Sequence, residues 1–142
     1  MKLIITESQK ENLLKNLIDE KGIELAIKLV GGIENLFDLL NINSPMDFLH
    51  LFDNLEQVKS KKEKNWILFK NKSNHVIMGY DVKFKMVYVD YNEVWLFLLH
   101  KFNLGYKEVR DLMKEWLSEV YNLKDVMVRN SYGTQIQDFL DT

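Results

Sequence analysis

The chain has 142 residues, of which 46% are hydrophobic, 12% aromatic and 28% charged, an ordinary globular composition that argues for one domain and against intrinsic disorder. It contains no cysteine, which excludes disulfides, thiolate metal centres and cysteine nucleophiles. The formal charge of −2 is too close to balance to name a polyanionic or polycationic partner.

Met1–Ile5 is apolar but falls short of the roughly 7–15 apolar residues of a secretory signal. The most apolar run, Val94–Leu99, is far below the ~20 residues that span a bilayer. The expectation is a soluble, intracellular protein with no membrane partner. Thr6 and Gln9 then have capping-box spacing, with Glu7 in the first turn where the helix dipole favours an anion. Leu13, Leu14, Leu17 and Ile18 recur at helical spacing until Gly22. Ile23, Ala26, Ile27 and Val30 predict a second helix closed by Gly31 and Gly32, and Ile33, Leu36, Phe37 and Leu40 a third. Ser44 before Pro45, a capping side chain with proline at the first helical position, predicts a fourth helix carrying Phe48, Leu49, Leu51 and Phe52.

From Trp66 the period changes to two. Trp66–Lys70, His75–Tyr80 and Val82–Asp90 are rich in β-branched and aromatic residues and read as strands. In the last of these, Val82, Phe84, Met86 and Tyr88 point to a covered face, and Lys83 and Lys85 to a solvated one. Helices return after Tyr91. Asn92 is placed to cap Glu93–Phe102, which is apolar nearly all round and so buried on several sides. Val109, Leu112, Met113, Trp116, Leu117, Val120 and Tyr121 form an amphipathic series, with Lys107, Arg110, Lys114, Glu115 and Glu119 outside. Val126–Val128 reads as a short fourth strand, 131–133 as a turn and 134–140 as a terminal helix or ordered tail. The fold class is α+β, about six helices around a small three- or four-stranded antiparallel sheet. Residues 1–142 form a single domain, with a helical half (1–58) and an α+β half (65–142) joined by a lysine-rich seam (59–64).

The near-zero net charge hides a segregation. Residues 1–58 hold five basic and ten acidic side chains, and residues 86–142 hold six and nine. Between them, residues 59–85 carry eight lysines against Glu63 and Asp81. Lys59, Lys61, Lys62, Lys64, Lys70, Lys72, Lys83 and Lys85 are therefore the candidate site for a nucleic-acid or other macromolecular partner. Trp66, Phe69, Tyr80 and Tyr88 interleave rings on which bases stack if exposed. Against this, arginine, the residue for bidentate phosphate contacts, occurs at Arg110 and Arg129, both outside the patch. Lysines also keep sheet edges soluble.

Catalytic chemistry finds no constellation. Asp47 and His50 share a helix face with Asp53 beyond, which reads better as a surface helix than as a metal site. His100 suits the C-terminal end of an apolar helix, and His75 opens a strand. The serines lack a nucleophile-elbow context, Ser8 and Ser44 being explained by helix initiation. Neither Gly31-Gly32 nor Ser131-Tyr132-Gly133 has the pattern that aims backbone N–H groups at phosphates. No cofactor, metal or catalytic residue is assigned. An enzyme would require a pocket joining His50 or His100 to a distant carboxylate.

Ile4-Ile5-Thr6-Glu7-Ser8-Gln9, Val30-Gly31-Gly32, Asn65-Trp66 and Trp116-Leu117-Ser118-Glu119-Val120-Tyr121-Asn122-Leu123 resemble elements of small uncharacterised proteins encoded by tailed bacteriophages. The resemblance spans most of residues 3–125. It implies a viral origin and a location in the host cytoplasm or the virion, and carries no activity or site with it. The leading expectation is a non-enzymatic phage protein that binds a macromolecular partner, a host factor it modulates or a virion component. The alternative is nucleic-acid binding through the lysine-rich β meander.

Overall fold

The first helix opens as its capping box requires. The Thr6 hydroxyl accepts from the Gln9 N–H at 3.1 Å, and the Gln9 side chain accepts from the Thr6 N–H at 2.9 Å. The computed structural model describes residues 6–131, so the predicted tail at 134–140 and all but Ser131 of the predicted 131–133 turn lie outside the described residues. Helix α1 (Glu7–Lys21) stops at Gly22, whose φ of 93° is a conformation that side chains with a Cβ rarely adopt. Helix α2 (Ile23–Val30) ends at Gly31 in the left-handed region, and α3 (Ile33–Leu39) follows. Ser44 caps α4 (Pro45–Leu49) by accepting from the Asp47 N–H at 3.1 Å, and the chain continues as a 3-10 turn over His50–Phe52.

Five strands follow: β1 (Glu56–Lys59), β2 (Trp66–Lys70), β3 (Val76–Asp81), β4 (Met86–Asp90) and, after two more helices, β5 (Met127–Ser131). They lie side by side in sequence order. The first four pair antiparallel, whereas β5 runs parallel to β4 with Val87 opposite Val128 and Tyr88 opposite Arg129. The α+β class stands, but the sheet is five-stranded and mixed rather than a three- or four-stranded antiparallel one. The strand missed is β1, which has four residues, three of them exposed, and therefore no apolar alternation. It begins before residue 58 and takes Lys59 out of the seam. The parallel pair needs a crossover, here supplied by the two helices between β4 and β5.

A second correction concerns Val82–Asp90. Its first four residues are the β3–β4 turn, because Asp81 Oδ1 accepts from the N–H groups of Lys83 (3.1 Å) and Phe84 (3.4 Å) and Lys85 takes a φ of 51°. The faces are consequently reversed. Val87 and Val89 enter the main core, and Met86 and Tyr88 lie on the opposite face, half-buried. The third correction is at the next helix. Asp90, not Asn92, is the cap, its Oδ1 accepting from Asn92 N–H (2.9 Å) and Glu93 N–H (3.3 Å). Helix α5 begins as a wide π-type turn (Tyr91–Trp95) and continues as an α-helix (Leu96–His100).

One core unites the helical layer with one sheet face: Ile23, Leu36, Phe48 and Leu49 meet Phe69, Met78, Val87 and Val89. Leu68 and Val76 form a smaller cluster on the other face, screened by Val58, Trp66 and Tyr88, with the Trp66 and Tyr88 rings stacked at 5.3 Å. Among the described residues no helix is long and apolar enough to cross a membrane.

Helix α6 (Tyr106–Tyr121) buries Val109, Met113, Trp116 and Leu117 and is pinned by two polar tips. Trp116 Nε1 donates to Asp53 Oδ1 at 2.8 Å. The Tyr121 hydroxyl donates to the Phe52 carbonyl and accepts from the Leu55 N–H at 3.1 Å, and burial pushes its pKa up to about 12. Replacing Tyr121 with Phe strips two backbone groups of their partner in one step. The expected cost is about 1–3 kcal/mol, read as a lower urea midpoint at unchanged m-value; an unchanged midpoint would show that the joint contributes nothing.

Candidate lysine interface and histidine–carboxylate pairs

The meander sorts the eight candidate lysines by geometry. Adjacent strands reverse direction, so the β1–β2 and β3–β4 connections share one end of the sheet and the β2–β3 connection takes the other. Lys59, Lys61, Lys62 and Lys64 lie on or beside the first connection and Lys83 and Lys85 in the second, all six exposed. The two connections are tied by the Val82 N–H donating to the Asn65 carbonyl at 2.9 Å. The start of β5 joins them through the Met127 N–H and the Lys85 carbonyl, also at 2.9 Å. Among the described residues, none of the six lysines is within 4.0 Å of a carboxylate oxygen.

Lys70 and Lys72 are separated from this cluster by the length of the strands, on the order of 17 Å for five residues. Both have acidic partners: Lys70 Nζ sits 3.2 Å from Glu56 and also bonds the Asn74 side chain, and Lys72 Nζ lies 3.8 Å from Asp19. The patch read from composition is thus six lysines at one end, plus two at the other that neutralise acids of β1 and α1. At the tip of the six-lysine end Phe84 is 66% exposed, with Lys83 Nζ 5.4 Å from its ring centroid. The other aromatics are withdrawn: Phe69 is buried in the main core, and Trp66 and Tyr88 cover each other.

His50 and His75 are engaged in fold contacts. His50 Nδ1 bonds Asp53 Oδ2 at 2.8 Å, and the other Asp53 oxygen holds Trp116. Asp47 turns away to cap its own helix, accepting from Asn43 N–H (2.9 Å) and Ser44 N–H (3.2 Å). His100 is exposed at the end of α5, as its position in the chain suggests. Among the described residues no three His, Asp or Glu side chains are grouped to hold a metal ion.

His75 is where sequence reasoning missed an interaction. Its Nε2 lies 3.1 Å from Oδ2 of Asp90, a carboxylate only 5% exposed, while its backbone N–H donates to Asn71 Oδ1 at 3.0 Å. One aspartate thus caps α5 with one oxygen and holds the start of β3 with the other. The signal was the hairpin register: once the turn is set at 82–85, β3 and β4 pair so that His75 falls beside the end of β4. The hydrogen bond to Asp90 raises the His75 pKa, and burial opposes it. Glu93 lies partly buried in the same junction. Desolvation raises its pKa despite His75 and the Ile23 N–H, which faces it from the uncapped start of α2.

Comparison with known protein families, with characterised proteins and with solved structures finds no match to this chain. Its own geometry therefore carries the functional reading.

The His75 shift has a definite sign. Below the ordinary histidine value both folded and unfolded chains are protonated and the imidazolium–Asp90 attraction is fully present. As pH rises the unfolded chain loses its proton first, and the contribution is gone above the raised folded value. Unfolding midpoints are expected to fall as pH rises from the ordinary histidine value through the raised folded one, and H75Q to flatten the decline. Solvent screening at the partly exposed imidazole keeps the difference below about 1 kcal/mol. A slope unaltered in H75Q would dissociate it from the pair.

Proposed function

We propose that this chain is a small non-enzymatic phage protein that works by binding, and that its working surface is the lysine end of the sheet. The partner is polyanionic, a nucleic-acid strand. The observation that carries the reading is the convergence of Lys59, Lys61, Lys62, Lys64, Lys83 and Lys85 from two hairpin connections, without carboxylate partners among the described residues. Cations held together in this way have no role in neutralising the fold's own acids. Each phosphate they neutralise releases condensed counterions, the main source of affinity in such interfaces. Phe84 stands among them as an exposed ring, a stacking platform for an unpaired base, and favours single strands over duplex.

The non-enzymatic part rests on how the titratable groups are used. Asp47 and Asp90 are helix caps, Asp53 anchors Trp116, and His50 and His75 are tied to two of these. The phage attribution rests on the resemblance of the opening segment and of 116–123. A host factor or virion protein with an acidic face is the second reading, favoured by the apolar surface of Val82 and Phe84 inside the lysine ring. That partner would use the same end of the sheet.

Filter binding of single-stranded oligonucleotides at graded salt tests the proposal. Log affinity is expected to fall steeply with log salt. In the triple variant K61Q/K62Q/K64Q the slope is expected to flatten by about 0.7 for each phosphate that is no longer neutralised. F84A is expected to weaken single-strand binding by about tenfold, while K70Q/K72Q leaves it unchanged. Absence of binding at low salt would transfer the surface to the acidic-protein reading, and equal weakening in both lysine variants would mean that charge alone, not the cluster, is sensed.

A further inference from the structure

The two arginines of the chain, far apart in sequence and outside the lysine patch, meet in one place. A cleft of about 620 Å³ runs between the first half of α6 and the β4–β5 edge of the sheet, within the size range of small-ligand sites. Lys107, Arg110 and Lys114, spaced three and four residues apart, present one face of α6 to it, and Arg129 of β5 closes the other side. Among the described residues none of these four cations is within 4.0 Å of a carboxylate oxygen, although Asp111 also lines the cleft. Four cations without a carboxylate partner among the described residues, converging on a concavity, form a site of strong positive potential, and two of them carry the planar fork that matches phosphate oxygens.

A second, independent observation comes from Trp95, which forms part of the cleft wall and is 1% exposed. Its Nε1–H is the buried side-chain nitrogen or oxygen left without a hydrogen-bond partner among the described residues. A buried indole donor without an acceptor is costly and rare in a native fold, and a bound acceptor relieves it. The remaining lining includes two tyrosines beside Met127, Val128 and Asn130. Tyr106, half exposed, lies 5.7 Å from Trp95 between ring centroids, and Tyr88 stands opposite Arg129 in the sheet. Cations for a phosphate, an indole donor and a flat apolar wall together describe a phosphorylated ligand with a planar ring.

We infer that this cleft binds a nucleoside monophosphate, with the phosphate on Arg110, Arg129 and their neighbouring lysines and the base against the tyrosine wall. The ligand is either a free nucleotide or the phosphorylated end of a strand, which share this chemistry. The inference is independent of the lysine end, whose six cations take no part in the cleft.

Titration of the full chain with adenosine 5′-monophosphate, followed by calorimetry and by the Trp95 indole N–H resonance, tests it. Adenosine 5′-monophosphate is expected to bind and move that resonance, ribose 5-phosphate to bind more weakly, and adenosine more weakly still. R110Q and R129Q are each expected to weaken binding about tenfold at an unchanged unfolding midpoint, and K107Q and K114Q serve in their place should either fail to fold. The triple variant K61Q/K62Q/K64Q is expected to keep full nucleotide affinity, so failure of the lysine proposal and failure of this one are separable. Competition by an oligonucleotide only when it carries a 5′-phosphate supports a strand end as the source; competition by free nucleotides alone supports the free pool. No binding at millimolar nucleotide, adenosine binding as tightly as the monophosphate, or affinity indifferent to both arginines would each overturn the assignment.

Discussion

Helix α6 lays Val109, Met113, Trp116 and Leu117 into the core, and burial of side chains of this size contributes on the order of 1.5–3 kcal/mol each. What makes this docking decisive is its position in the chain, between β4 and β5. A parallel neighbour for β4 exists only if the intervening segment crosses back over the sheet and is held there. The hold is specific as well as apolar. Trp116 and Tyr121 bury their rings and deliver their polar tips to Asp53, Phe52 and Leu55, at the passage from the helical layer into β1. The same helix therefore completes the sheet at its far edge and ties down the chain at its near one. It also sets the outward face of α6, with Arg110, alongside Arg129.

A second junction does comparable work with charge. Asp90 ends β4, starts α5 and reaches His75 at the start of β3, and Glu93 one turn later faces the start of α2, where Gly22 has no side chain to cap with. The buried Asp90 carboxylate and the partly buried Glu93 are tolerated there because backbone N–H groups and an imidazole surround them. The His75 and Glu93 pKa values are both raised, since the charged histidine is favoured and the charged glutamate is disfavoured. These groups serve the architecture, which leaves the basic surfaces as the part of the molecule the fold does not consume.

Much of the fold was legible in the chain. Thr6–Gln9, Ser44–Pro45, Gly22 and Gly31 marked helix ends correctly because capping is local: donor and acceptor lie within four residues of each other. The stripes on α2, α3 and α6 were legible because burial repeats with the helical period. The errors fall where pattern and environment diverge. β1 is an edge strand with little apolar content and shows no alternation, and β5, expected over 126–128, runs on through Arg129 and Asn130 to Ser131. At 82–90 the alternation runs unbroken through a turn, and only the Asp81 bonds and the φ of Lys85 reveal it.

Of the candidate site, the excess of lysine at 59–85 was visible in the sequence, and its division was not. By itself the sequence determined the α+β class, the capped ends of α1, α2 and α4, the absence of thiol chemistry and the presence of a basic segment, because these depend on composition and on contacts between near neighbours. Tertiary structure decided which cations stand together. Strand reversal gathered six lysines at one end and sent Lys70 and Lys72 to acidic partners at the other, and the α6 crossover brought Arg110 to Arg129. Charge acts through distance in space, and distance in space follows from topology, which no local pattern encodes.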